Sequence, residues 1–302
     1  MKRREFITLL GGAAVAWPLA ARAQQSAKLR TIGFSGQSTR SAESELVAAF
    51  TQRLRELGWS EGRTITIEYR WSEGRAERFV QIAAEFVRLK VDVIVTSGTP
   101  QVLATKQATS VIPIVFARVG DPVANGLVAS LGRPGGNVTG LSSQSDELAG
   151  KRLELLREVV PSLRRVAILA NVGNPFSVVE LGEAQAAARM LGLEFDTLEI
   201  RRAEDIAPAF EAIKGRAEAL YVCPDGLVEA NKIRINTSAL GARLPTMHGY
   251  REYVQAGGLM SYGANSRTCT GAAPTMLTRF CAGRSRPTSR LSNPPSSILP
   301  ST

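Results

Sequence analysis

Six short segments of this chain carry hydroxyl, amide and carboxylate side chains where a small molecule could be held. They are Ser35-Gly36-Gln37, Thr96-Ser97-Gly98-Thr99-Pro100, Gly120-Asp121-Pro122, Ser142-Ser143-Gln144, Asn171-Val172-Gly173-Asn174 and Pro224-Asp225-Gly226. Each follows a short apolar run. Thr96, Ser97 and Thr99 stand just before a helix expected from Pro100, so their hydroxyls and the free N–H groups of that helix could hold a carboxylate or other anion. Asp121 could pair with a cation or an amine. The same residue types also cap helices and form turns, and any one of these loops can be read that way. Together they favour a cleft for a small polar ligand.

Catalytic and metal chemistry has little to work with. There is no G-x-G-x-x-G after the first strand, no P-loop and no H-E-x-x-H. His248 is the only histidine, so no paired-histidine metal site can form, and no G-x-S-x-G elbow accompanies it. No catalytic residue, metal or cofactor is therefore expected. His248, near a strand end, reads as a structural or ligand-contacting group; an exported hydrolase using it is the alternative from a different class. Glu154, Glu158 and Glu180 fall at helix-surface spacings and read as solvated faces.

The loops must be carried by an alternating α/β framework. Thr31–Phe34, Thr64–Tyr69, Val91–Thr96 and Ile112–Ala117 read as strands, the third apolar but for Asp92 and Thr96, as in a sheet buried on both faces. Residues 42–57, 75–89 and 100–109 carry helical spacing between them, and a short helix is expected to open at Gly126-Leu127-Val128. After a Gly-, Ser- and Pro-containing break at 134–145 the alternation restarts. Helices at about 146–159, 176–191, 203–214 and 228–242 then separate strands at Val166–Asn171, Glu194–Ile200, Ala219–Val222 and from Thr246. Strands separated by helices of this length imply right-handed βαβ units and mainly parallel sheets. Two α/β lobes follow, 24–143 and 144–263, with ligands expected at the carboxyl ends of the strands. Cys223 lies in an apolar run and reads as a small hydrophobe, and no disulfide framework exists.

The net charge of +10 over 302 residues suggests nucleic acid until it is divided along the chain. Residues 1–23 carry +3 and residues 265–302 carry +5, which leaves +2 on the body. Nucleic-acid binding is thereby disfavoured. Residues 1–23 have a basic start, a short apolar stretch and Ala21-Arg22-Ala23, the parts of a signal peptide with cleavage near Ala23. Arg3-Arg4 before Glu5-Phe6-Ile7 resembles a twin-arginine signal, and a Sec signal is the alternative.

Longer motifs carry a specific resemblance. Asp121-Pro122-Val123 through Leu131, Arg133-Pro134-Gly135-Gly136-Asn137-Val138-Thr139-Gly140, Lys151–Leu156 with Val160-Pro161, Ala184–Leu193, Arg251–Val254 and Gly257–Gly263 resemble a family of ABC-transporter substrate-binding proteins. The likeness runs through residues 1–264. It implies a two-lobed periplasmic-binding-protein type I fold, with mainly parallel sheets flanked by helices, closing on a ligand. It also implies a periplasmic monomer that passes a small molecule, such as an amino acid or small carboxylate, to an ABC permease in the inner membrane. Some relatives take aromatic amino acids, and the family brings no catalytic residues. A periplasmic sensor would share the same cleft. The ligand-binding residues expected are Ser35, Thr96, Ser97, Thr99, Asp121, Ser143, Asn174, Asp225 and Tyr250, the last where relatives often carry Trp.

From Asn265 the pattern changes. Residues 265–302 contain five Arg, no acid and five Pro, and composition reads them as a disordered basic tail without an apolar face. The resemblance implies an amphipathic helix there. One choice of codons for Arg267–Cys281, read in another frame, encodes such a helix, so a frameshift near residue 265 is expected, with poor cover for the first lobe.

Overall fold

The computed structural model describes residues 29–143 and 148–281. The expected signal peptide (1–23) and the end of the tail (282–302) lie outside the described residues. Within them the chain builds two parallel sheets. The first has the order β2-β1-β3-β4-β5, from β1 (Arg30–Gly36), β2 (Ile65–Trp71), β3 (Val93–Ser97), β4 (Ile114–Val119) and β5 (Val138–Ser142). The second has the order β10-β9-β8-β6-β7, from β6 (Arg165–Asn171), β7 (Glu194–Ile200), β8 (Ala219–Val222), β9 (Thr246–His248) and β10 (Met260–Ser261). Every pairing within both sheets is parallel.

Helices cover both faces of each sheet, which is why the central strands are apolar on both sides. In the first lobe these are α1 (Ser44–Glu56), α2 (Ala76–Leu89) and α3 (Thr99–Ala108). In the second they are α4 (Ala149–Val159), α5 (Pro175–Met190), α6 (Ile206–Ala212), α7 (Gly226–Ala230), α8 (Lys232–Gly241) and α9 (Arg251–Gln255). Alternate residues of β6 divide between two cores: Val166, Ile168 and Ala170 pack with Leu153 and Ala184, and Ala167 and Leu169 with Phe210 and Ile235. Burying each large side chain contributes about 1.5–3 kcal/mol, so a disulfide is not needed. Cys223 is fully buried and free, as expected of a small hydrophobe.

Three expectations are corrected. No helix opens at Gly126-Leu127-Val128: residues 122–126 form turns, and the Pro122 carbonyl accepts from the amides of Leu127 and Val128, folding the chain back on itself. The helix expected over 228–242 is broken at Asn231 into α7 and α8. The third concerns the basic tail. Ser266–Cys281 is a helix, α10, lying on the first lobe against α1 and β4. Cys269, Ala273 and Leu277 recur every four residues and are buried, the latter two against Phe34, Phe50 and Ile65. Polar residues and Pro274 around this narrow stripe concealed it, and the first lobe is covered there after all.

Candidate functional site

The carboxyl ends of β1, β3 and β4 face those of β6, β8 and β9 across a cavity of about 460 Å³. Its first-lobe wall is made by Gln37, Thr99, Arg118, Asp121 and Asn125, and its second-lobe wall by Asn174, Phe176, Glu180, Asp225, Glu229 and Tyr250, among others. The lobes touch around it. Lys232 Nζ donates to the Ala42 carbonyl at 3.2 Å, and Gly74 packs so tightly on α7 that a Cβ there would come 2.5 Å from Leu227 Cα.

Five of the nine expected residues line the cavity, namely Thr99, Asp121, Asn174, Asp225 and Tyr250. Asp225 and Asn174 begin helices: Asp225 Oδ1 accepts from Leu227 N at 2.7 Å, and Asn174 Oδ1 from Phe176 N at 3.1 Å. Asn174 Nδ2 and Asn171 Nδ2 then donate to the two Asp225 oxygens at 2.7 and 3.0 Å. Among the described residues, the hydrogen-bond partners of Asp225 are all neutral. Asp121 Oδ1 accepts from the amides of Val123 and Ala124 at 2.8 and 2.9 Å, so the turn-capping reading of that residue holds alongside its place on the wall.

The other four lie beneath the wall. Ser35 accepts a hydrogen bond from Gln101 and ties α3 to β1, and the Ser97 hydroxyl accepts from Gln37 Nε2 at 3.2 Å. The Ser143 hydroxyl donates to the Val119 carbonyl at 3.0 Å. Thr96 is buried within β3. In the Thr96–Thr99 loop, strand geometry runs through Ser97, and Gly98 and Thr99, at the start of α3, reach the cavity, Thr99 being the one expected residue of this loop that does.

Sequence reasoning missed Arg118. It sits at the end of β4 where the register against β5 slips between Phe116 and Val119, and its φ is +54°, in the left-handed region. Such a backbone costs about 1–3 kcal/mol in a non-glycine residue and persists where the surroundings enforce it. Its side chain is 3% exposed. Nη1 lies 3.4 Å from Glu229 of the opposite lobe and Nη2 lies 4.0 Å from Glu43, which precedes α1. The guanidinium is 5.9 Å from the centre of the Tyr250 ring. Burial opposes its charge, but Glu229 and Glu43 outweigh that effect and hold it cationic. Nε and Nη2 have no hydrogen-bond partner among the described residues. A charged residue inside the apolar run Ile112–Ala117-Arg118-Val119 was the available signal.

Glu180 is the second correction to the site. It is 4% exposed, not solvated, and accepts from Arg152 and from the Tyr221 hydroxyl, the latter at 2.7 Å. His248 does not line the cavity. It is 1% exposed and stacked on Tyr253 at 5.0 Å, and burial lowers its pKa to about 3, which leaves the ring neutral. Tyr250, on the cavity wall, is pushed up to about 12 by burial and stays protonated. The site can bind and orient a molecule of mixed polarity between two lobes. Among the described residues no cluster suited to a metal ion occurs.

Comparison with known proteins agrees with this geometry. A model of the family described as "ABC transporter substrate binding protein" matches residues 39–289. A tyrosine-binding protein of Clostridioides difficile is 28% identical over 239 residues, covering 79% of this chain and 68% of that protein. A conserved domain protein of Vibrio cholerae superposes with a TM-score of 0.82 at 26% identity, covering 89% of this chain and 90% of the other. An ABC domain in complex with L-Trp, from Streptococcus pneumonia, superposes at 0.78 with 22% identity over 88% and 89% of the two chains. The fold is that of the type I periplasmic binding proteins. The chain belongs to the family of ABC transporter substrate-binding proteins.

Proposed function

We propose that this protein captures an α-amino acid in the periplasm and delivers it, as a monomer, to an ABC permease of the inner membrane. The observation that carries the ligand class is the pairing of opposite charges across the cavity. Among the described residues, Arg118 of the first lobe has two guanidinium nitrogens without hydrogen-bond partners, and Asp225 of the second has only neutral ones. An amino-acid carboxylate suits the first and its ammonium the second, and charge-assisted bonds of this kind are the strong ones. Phe176, Tyr250 and Tyr253 add aromatic surface. The tyrosine-binding and L-Trp-bound relatives favour an aromatic side chain. Residues 1–23 are read as the export signal. The change of composition from residue 265 is read as a shift of reading frame, which the gene sequence tests.

The decisive experiment is titration calorimetry with L-tyrosine and L-tryptophan beside their fragments, an aromatic amine without the carboxylate and an aromatic acid without the amine. Each fragment leaves one desolvated charge unpaired, which costs about 2–5 kcal/mol, more than tenfold in affinity. Arg118→Gln should remove the preference for the carboxylate and Asp225→Asn that for the amine. Fragments that bind as well as the amino acids would refute the assignment.

A further inference from the structure

Among the described residues, Arg118 is the one lysine or arginine on the cavity wall, and carboxylates already surround it. Glu229 reaches it from the opposite lobe at 3.4 Å, and Glu43 stands 4.0 Å away within its own lobe. Glu252, on α9, acts on the same guanidinium from the second lobe. Lys232, at the start of α8, is the other cation of the cluster; it acts on Glu252 and donates to the carbonyl of Ala42, next to Glu43. Three carboxylates are thus set against two cations. A ligand carboxylate on Arg118 makes it four against two, and like charges gathered away from water favour protonation of one of them.

We infer that ligand capture is coupled to proton uptake by Glu43: when a carboxylate occupies Arg118, the Glu43 carboxylate takes a proton from solvent and no longer competes for the guanidinium. The inference rests on the reading that Arg118 receives the carboxylate of the ligand. Glu43 suits the task because it is buried and does not line the cavity, so it can take the proton without losing a ligand contact. The charged groups that face it are Arg118 from β4 and Glu229 from α7, with the amides of Gln37 and Ser38 from the end of β1. Burial first, and Glu229 second, already lift its pKa to about 7, so a further negative charge at Arg118 has little left to do. A group whose pKa is higher in the complex than in the free protein binds ligand best below both values. Affinity therefore falls as pH rises through them, by up to ~10-fold per unit.

The test is titration calorimetry with L-tyrosine between pH ~6 and ~8, in buffers of different ionisation enthalpy. His248 is neutral across this range. For the wild type we expect uptake of about half a proton per ligand near pH ~7.5, and affinity at least ~3-fold lower at pH ~8 than at pH ~6. Glutamine imitates the protonated carboxyl. Glu43→Gln should therefore bind without proton uptake, match the wild type at pH ~6, and bind at least ~3-fold tighter than the wild type at pH ~8. A role in folding alone would not improve binding at one pH only. Glu252→Gln removes the other carboxyl that burial raises, and it should keep the wild-type uptake. Acetate separates this inference from the amino-acid assignment, because it supplies the carboxylate alone. Followed by NMR of carbon-13-labelled glutamate side chains, acetate should raise the titration midpoint of Glu43 by at least ~0.5 unit. That measurement decides the matter should L-tyrosine not bind or Glu43→Gln not fold. A midpoint that acetate leaves in place, or proton uptake that persists in Glu43→Gln, overturns the inference.

Discussion

Replacing Glu43 by glutamine should change how stability depends on pH, by an amount that follows from its surroundings. Glu43 is 1% exposed; its Oε1 accepts from the Ser38 amide at 2.8 Å and lies 4.0 Å from Arg118. Burial first, and the Glu229 carboxylate second, raise its pKa from 4.5 to about 7, against the pull of Arg118 and of the Ser38 and Gln37 amides. A carboxyl raised in the folded state keeps its proton where the unfolded chain has lost it. Stability from this group is therefore lost as pH rises from 4.5 to about 7, and is constant above. At ~1.4 kcal/mol per pH unit the loss is about 3 kcal/mol. Glutamine preserves the acceptor for Ser38 and cannot titrate. Urea denaturation at pH values from ~5 to ~8 should show the wild type losing up to about 3 kcal/mol relative to Glu43→Gln. Glu252, raised mainly by burial, is common to both proteins and cancels in the comparison. Parallel profiles would refute the reasoning, since they would mean that Glu43 is ionised throughout and that Arg118 alone offsets its burial.

Two further outcomes are expected. His248, held down to about 3 from 6.5 by burial, contributes stability above about pH 6.5 that is lost as pH falls towards 3, so His248→Phe should melt higher than the wild type near pH ~4. Its ligand affinity should be unchanged, because the ring does not line the cavity; abolished binding in a folded variant would contradict this. Leu277→Ala, at a position 1% exposed in the core of the first lobe, should cost about 2–5 kcal/mol in urea denaturation, whereas Thr275→Ala on the exposed face of the same helix should cost under about 0.5 kcal/mol. Equal costs would mean that α10 does not cover that core.

The sequence by itself determined the two-lobed α/β framework, because its signals are local. An apolar run such as Val93–Val95 can satisfy its side chains only inside a covered parallel sheet, and the helices between such runs dictate right-handed crossovers. Once that framework exists, loops at the carboxyl ends of the strands converge, so Thr99, Asp121, Asn174 and Asp225 could be found from their places in the pattern, whereas Tyr250 was reached only through the family resemblance. Tertiary structure decided which polar group in each loop reaches the cavity, and it left Ser35, Thr96, Ser97 and Ser143 beneath. It also decided the charge pairs. Arg118 and Glu229 are 111 residues apart in sequence, and Arg118 and its partner Glu43 belong to segments that read as a strand and a helix start. Helical spacing placed Glu180 on a solvated face, but the guanidinium of Arg152 and the hydroxyl of Tyr221 make its burial possible. In α10 the stripe of Cys269, Ala273 and Leu277 was present but too narrow to stand out among Thr and Arg until β4 and α1 supplied a surface for it. Local periodicity records what a segment must bury, whereas the cost of burying a charge depends on a partner that only the fold brings near.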